Sequence, residues 1–329
     1  MIQSLPRFHH RPGPPLEADL AAWAEERPAA LILPCHVRDA ETAAFQHILR
    51  TLRHAVWLRA VVIGLDGEDP RGMARAGILR ELPAAVVLPG REPAGKGGNI
   101  QRCLRHIADE LPCYAAAVHD CDILSYEAEF PARLCWPVLC PEASWTFCKG
   151  AYHRVSDRLH GRLTRLMFRP LVAALRGTAA GPADSSWLDS LQTWHYPLAG
   201  ECCATMAFWE TCGLSSGWGV EVDVLRRASE LPPTACGQVE LCAAYDHRHH
   251  ELSAADPSQG LHRSAREVAT ALLQTMTAIP AGLTDRFSMA AAEALHVSRL
   301  TARLNGLMWD EVEESLAVET FTSVIRGLV

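Results

Sequence analysis

The stretch CYAAAVHDCD, residues 113–122, sets an apolar run from Ala115 to Val118 directly against two carboxylates, Asp120 and Asp122. It reads as a buried strand that closes on D-x-D, and the residues upstream say what kind of sheet it joins. AALILP (29–34), LRAVVIGLD (58–66) and PAAVVLPG (83–90) are three further apolar runs. Between the four lie segments of helical spacing, ETAAFQHILRTLRHAVW (41–57), GMARAGILREL (72–82) and GGNIQRCLRHIADEL (97–111). Strands alternating with helices in this way predict an α/β fold with a parallel sheet built from βαβ units. Ligands of such sheets bind at the carboxyl ends of the strands. Here those ends are PCHVRD, LDGED, PGREPAGKGGN and HDCD.

Outside this block the pattern is less regular. The first fifteen residues are rich in Pro and His and predict irregular chain, followed by an amphipathic helix, LEADLAAWAEERP, stopped at Pro28. After Ser125, SWTFCKGAYHRV (144–155) predicts a strand, DRLHGRLTRLMFRPLVAALRG (157–177) a basic helix, and YPLAGECCATMAFWETCG (196–213) a partly helical segment. GQVELCAAYDHRHHELS (237–253) predicts a strand running into a polar loop, and the chain from Gln259 onward is mainly helical by spacing. No internal repeat or low-complexity tract is present. With 329 residues, 49% of them hydrophobic, the chain can bury a sizeable core as one large or two modest domains.

Composition excludes several function classes. No apolar stretch approaches the ~18 residues of a membrane span, and MIQSLPRFHHRPGPP lacks the apolar core of a signal peptide, so the expectation is a cytoplasmic protein without a membrane partner. Twelve cysteines occur without a CxxC pair and read as reduced, mostly buried thiols. A net charge of −7 argues against nucleic acid as the main partner.

Four features carry chemistry. Two carboxylates at the end of a buried strand repel each other unless a cation compensates, and Mg²⁺ or Mn²⁺ supplies that compensation together with substrate phosphates. The bland alternative for Asp120 and Asp122 is a solvated turn. GREPAGKGGN (90–99) nearly fits a Walker A loop, but Gly97 stands where a Ser or Thr should bind Mg²⁺, and Pro93 lacks an N–H the cradle needs. The stretch still offers a Gly-rich loop, Lys96 and a helix N-terminus to a phosphate; a flexible surface loop is the alternative. YDHRHHELS places His247, His249 and His250 after an apolar run, as metal ligands or as a solvated turn. In the basic segment Arg158, Arg162 and Arg165 stand at i, i+4, i+7 and would share a helix face, either solvated or facing an anion.

Taken in order, GKGGN, HDCDI, FCKGAYHRVSDRLHGRLTRL, YPLAGE, WGVEVDVL and DHRHHELS resemble the glucosyl-3-phosphoglycerate synthases, retaining glycosyltransferases of the GT-A fold. The resemblance covers about residues 29–260. It implies a Rossmann-like, mostly parallel sheet with an N-terminal segment (1–28), a nucleotide-sugar-binding half (29–125), an acceptor-binding half (126–258) and a C-terminal helical region (259–329). The implied reaction is transfer of glucose from a nucleotide sugar, typically UDP-glucose, to the 2-hydroxyl of 3-phosphoglycerate. Its product, glucosyl-3-phosphoglycerate, is the precursor of the compatible solute glucosylglycerate.

Position by position, the resemblance makes Asp122 and His247 the ligands of Mg²⁺ or Mn²⁺, with Asp120 nearer the donor ribose. Lys96 would contact the donor phosphates, Pro34 and Asp66 would hold the uridine, and Leu198 would lie beside the sugar. Gly161, Arg162 and Thr164 would receive the phosphoglycerate, with His249 at a further acceptor contact where some relatives carry asparagine. Glu221 would stand near the sugar and the acceptor hydroxyl, so that Glu221, Asp122 and Lys96 form the catalytic set. The first strand ends LPCHVRDAE where many relatives have LPALNEEE, leaving Asp39 and Glu41 as candidates for an acidic uridine contact. Alternative readings are a mannosyl-3-phosphoglycerate synthase using GDP-mannose, a non-catalytic nucleotide-sugar-binding protein, and a P-loop NTPase, which Gly97 disfavours. The apolar C-terminal helices make a homodimer plausible.

Overall fold

The computed structural model describes residues 2–6, 8, 15–90, 95–143, 145–247 and 251–329. Their strands are β1 (Gln3–Leu5), β2 (Ala29–His36), β3 (Ala60–Asp66), β4 (Val86–Pro89), β5 (Ala115–Val118), β6 (Phe147–Ala151), β7 (Cys202–Thr205) and β8 (Cys236–Glu240). They form one sheet in the order β1-β8-β6-β7-β5-β2-β3-β4. Every neighbouring pair is parallel except the two that involve β7, which runs against β5 and β6. The carboxyl ends of the other seven strands therefore point to one edge, and the chain entering β7 arrives at that same edge.

Alternation along β2 shows why its sequence is an unbroken apolar run. Ala30 and Ile32 pack into one core with Ile100, Phe147 and Leu166, while Leu31 and Leu33 pack into a second core with Phe45, Ile48 and Phe130. A sheet covered on both faces needs apolar residues at successive positions. The C-terminal helices Gly260–Gln274, Leu283–Leu304 and Glu311–Arg326 complete the first core through Leu272, Phe287 and Phe321. Among the described residues, no helix is long and apolar enough to cross a membrane.

The four predicted strands and three helices of the first block are present, with the helices at Ala43–Leu52, Met73–Glu81 and Lys96–Glu110. Two expectations need correction. The N-terminus, expected to be irregular, contributes β1, whose residues Gln3, Ser4 and Leu5 pair with β8 at the sheet edge. A three-residue edge strand carries too little periodicity to be seen in the sequence.

The second correction is the basic helix expected over 157–177. Gly161 adopts φ +74°, a left-handed conformation that stops a helix. Regular structure begins only at Leu163–Phe168, a π-turn, and continues as the α-helix Arg169–Arg176. Pro170 explains the wide turn, because its ring crowds the carbonyl four residues back; the Arg169 N–H instead donates to the Thr164 carbonyl. Arg158 therefore lies in a loop, bridged to Met308, and does not share a helix face with Arg162 and Arg165.

Candidate active site

A cavity of about 670 Å³ opens at the carboxyl edge of the sheet. Pro34, Asp66, Lys96, Asp120, Asp122, Leu198, Glu221 and His247 line it together with Gly161, Arg162 and Thr164. Asp39 also lines it, whereas Glu41 does not. His249, with Arg248 and His250, lies outside the described residues, as do Arg91, Glu92, Pro93 and Ala94 of the near-Walker loop.

Lys96 is the charge centre of the site. It is the first residue of the helix Lys96–Glu110, and its Nζ lies 2.7 Å from Asp120 Oδ1 and 2.7 Å from Glu221 Oε1. Its side chain is only 9% exposed. Burial is the largest effect on the ammonium and opposes it, but Asp120 and then Glu221 outweigh burial and hold the pKa well above its ordinary value. The Trp218 ring stands 5.2 Å from Nζ, a cation–π contact at the cavity wall.

Two N–H groups of the expected phosphate cradle at this helix N-terminus are already bonded within the protein. Gly97 and Gly98 donate their N–H groups to the carbonyls of Gly217 and Ser216, at 3.3 and 2.9 Å. A Cβ on Gly97 would stand 1.8 Å from the Ser215 carbonyl oxygen. The glycines thus serve close backbone packing that brings Glu221, in the first turn of Val220–Ala228, up to Lys96. Among the described residues of this turn, Gly95 and Lys96 line the cavity. Gly97→Ala is expected to lower stability by about 1–3 kcal/mol, the usual cost of overpacking, read as a fall in the urea midpoint.

Asp122 and His247 approach each other through a β-bridge between Ile123 and His247. Asp122 Oδ2 lies 3.9 Å from His247 Nδ1. Burial pushes the Asp122 carboxyl up to about 7, Asp120 adds to the shift, Lys96 opposes it, and Glu201 and Asp39 reinforce it. This donor set fits a divalent cation. One oxygen and one imidazole nitrogen, each at about 2.1 Å from an ion, lie at most about 4.2 Å apart, and the surplus negative charge is of the sign a cation relieves. Mg²⁺ or Mn²⁺ held by two side chains keeps positions free for a diphosphate.

On one side of the cavity, Arg102 holds Asp66 at 2.6 Å and the Asn99 amide donates to the Gly64 carbonyl at 2.8 Å, fixing the end of β3. On the opposite side, Arg162 is already engaged. It meets Glu313 at 2.7 Å and Glu314 at 2.8 Å, and Arg165 meets Glu314 at 2.5 Å. Glu314 is buried at 5% exposure, whereas Glu313 is 42% exposed and lines the cavity. The anion facing Arg162 is thus supplied from the helix Glu311–Arg326, about 150 residues away in sequence.

Two residues escaped the sequence reading. A Cβ on Gly200 would stand 2.6 Å from Asp120 Oδ1 and 2.8 Å from Lys96 Nζ, so only glycine admits that ion pair. Glu201, fully buried, accepts hydrogen bonds from the Tyr152 and Tyr245 hydroxyls. Both lie in YPLAGE, where an acidic residue in an otherwise apolar context was the available signal. His119, beside the D-x-D, is a core residue stacked edge-on to Tyr126, and burial drives its pKa down to about 3, with Asp120 opposing.

No family model matches the chain. Among curated proteins it is similar to the glucosyl-3-phosphoglycerate synthase of Persephonella marina, 28% identical over 99% of this chain and 87% of that protein. It is likewise 28% identical to the glucosyl-3-phosphoglycerate synthase of Methanococcoides burtonii, over 91% of this chain and 81% of that protein. Among solved structures it is similar to the glucosyl-3-phosphoglycerate synthase of Mycobacterium tuberculosis, with TM-score 0.66 at 23% identity over 86% of this chain and 90% of that one. That protein was crystallised with Mn²⁺, UDP and glucosyl-3-phosphoglycerate, and in other crystals with UDP-glucose and phosphoglyceric acid or with Mg²⁺ and UDP. The likeness gives this chain the GT-A fold expected from its sequence.

Proposed function

We propose that this chain, a relative of the glucosyl-3-phosphoglycerate synthases, is a metal-dependent, retaining transferase that moves glucose from UDP-glucose to the 2-hydroxyl of 3-phosphoglycerate. The observation that carries the reading is the convergence of Lys96, Asp120 and Glu221 in one ion-pair chain beside Asp122 and His247. Such a site, with its surplus of carboxylates, suits a divalent cation and, through that cation and Lys96, a diphosphate that leaves with more charge than it arrived with.

Asp122 and His247 would hold the metal, with Asp120 and the Pro34 and Asp66 loops binding the nucleoside. When bound, Mg²⁺ or Mn²⁺ supplies Lewis-acid stabilisation of the leaving diphosphate. Lys96 adds a fixed ammonium beside the same oxygens, preorganised by its two carboxylate contacts. Glu221 holds that ammonium in place and faces the cavity where the acceptor hydroxyl enters. Retention then follows from attack on the face the diphosphate leaves, with the departing phosphate oxygen taking the hydroxyl proton. Gly161, Arg162 and Thr164 orient the acceptor through its phosphate, so that remote binding aligns the reacting hydroxyl.

Incubation with Mg²⁺, 3-phosphoglycerate and a panel of nucleotide sugars tests the reading. Glucosyl-3-phosphoglycerate from UDP-glucose is the expected product. Turnover with GDP-mannose alone would make the chain a mannosyl-3-phosphoglycerate synthase, and no product from any donor would leave a binding protein.

Arg162 gives a separate prediction. Glycerate lacks the phosphate that Arg162 would meet in place of the exposed Glu313 carboxylate. Arg162→Ala is expected to lose about 1.5–3 kcal/mol of the preference for 3-phosphoglycerate over glycerate, the scale of a hydrogen bond to a charged group. Arg158, a loop residue paired with Asp157, also lines the cavity, and an unchanged ratio in Arg158→Ala would confine the phosphate contact to Arg162. The ratio of kcat/KM values cancels general damage to donor binding.

A further inference from the structure

We propose that Glu201 is a positioning residue that locks the two ligand-bearing segments of the metal site at their working separation; the inference rests on the reading of Asp122 and His247 given above. Glu201 directly precedes β7, the one strand of the sheet that runs against its neighbours, and so its carboxylate reaches the edge where the other strands end. There it is fully buried.

Three donors from three segments converge on it. The Tyr152 hydroxyl, from the chain after β6, donates to Oε2 at 2.8 Å. The Tyr245 hydroxyl, from the chain after β8, donates to Oε1 at 2.7 Å, and the Asp120 N–H, from the chain after β5, approaches the same oxygen at 3.4 Å. The two tyrosine rings stack at 3.7 Å with 5° between their planes, which fixes both hydroxyls. Asp120 lies two residues before Asp122, and Tyr245 lies two residues before His247. One carboxylate therefore ties down both arms that carry the ligands.

A carboxylate suits this place because it is an acceptor at both oxygens, whereas an amide turns one end into a donor facing donors. Burying that charge is unfavourable unless hydrogen bonds satisfy it: burial and then Asp120 hold the Glu201 carboxyl above its ordinary value, and the Tyr245 and Tyr152 hydroxyls oppose them. Groups that orient metal ligands from behind commonly change metal affinity by about 10–100-fold when altered.

The test is Mn²⁺ affinity at saturating UDP, followed by the electron paramagnetic resonance signal of free Mn²⁺, with thermal melting of the metal-free protein measured in parallel. Glu201→Gln and Tyr245→Phe are expected to weaken Mn²⁺ binding, by about 10–100-fold and about 3–10-fold respectively, with the KM for 3-phosphoglycerate within twofold of wild type. Tyr152 carries no ligand on its own segment, and Tyr152→Phe keeps both the ring stacked on Tyr245 and the His153 carbonyl that accepts from the Tyr245 N–H, so its loss of Mn²⁺ affinity should be the smaller of the two, under threefold. Should Glu201→Gln fail to fold, the contrast between the two Tyr→Phe variants carries the test alone. Wild-type Mn²⁺ affinity in Tyr245→Phe, or equal losses in both tyrosine variants, would overturn the proposal and leave Glu201 a core residue. If the wild type itself binds no Mn²⁺ with UDP, the functional reading fails instead.

Discussion

Asp122→Ala and His247→Ala are each expected to lower kcat by about 10²–10³-fold, the size of losing one preorganised electrostatic contact to a charge that develops in the transition state. Each variant removes one of two side chains set 3.9 Å apart at the mouth of the sheet. Neither should unfold the protein. Asp122 is pushed up to about 7 by burial and by Asp120, so removing it relieves repulsion, and the metal-free Asp122→Ala protein should melt no lower than wild type. The same shift gives a pH dependence with a definite sign. Protons compete with the cation for Asp122, and Mn²⁺ binding in the presence of UDP should weaken as pH falls below about 7. Near-normal turnover by either variant at saturating Mg²⁺ would remove both residues from the metal site.

Lys96→Ala is expected to act on both activity and stability. The ammonium holds Asp120 and Glu221 at 2.7 Å each, with side-chain exposures of only 9% for Lys96 and 8% for Glu221. Without it, carboxylates remain in a poorly solvated place, and breaking such a buried pair from one side costs about 3–5 kcal/mol. A urea melt of the metal-free variant reads that loss. In turnover, the missing charge beside the departing diphosphate should lower kcat/KM for the donor by about 10²–10³-fold. Lys96→Arg should not restore it, since a planar guanidinium cannot replace a compact charge set between two oxygens beside Trp218 and Gly200. ATP hydrolysis by the wild type would point back to a nucleotide triphosphatase, an outcome that the N–H groups of Gly97 and Gly98, already bonded to the Gly217 and Ser216 carbonyls, argue against.

Much of the first half of the fold was legible because its signals are local. The runs 29–34, 58–66 and 83–90 and the stretch ending at Asp122 alternate with helical spacing, and burial on both faces of a parallel sheet makes each strand continuously apolar. D-x-D after such a run and a lysine after a glycine loop could be named as a site in advance, since strand ends of one parallel sheet meet at one edge. The basic segment failed for an equally local reason. The i, i+4, i+7 spacing of Arg158, Arg162 and Arg165 is a helical pattern only if the backbone between them is helical, and Gly161 at φ +74° is not. A glycine is compatible with either conformation, and the spacing of its neighbours does not choose between them.

Residue order by itself determined the layered α/β class, the edge of the sheet where the cavity opens and the residue types gathered there, because hydrophobic period and strand polarity are properties of contiguous chain. Tertiary structure alone decided which charges meet. Glu221 reaches Lys96 because the 215–217 backbone packs against Gly97 and Gly98. Arg162 faces Glu313 and Glu314 because the last helix folds back over the loop that carries it. Glu201 reaches the edge that carries Asp120 and Asp122 because β7 is reversed in the sheet. Pairings between residues about 50 to 150 positions apart leave no periodic trace in the chain, since Coulomb and hydrogen-bond energies depend on distances of a few ångströms that only packing sets.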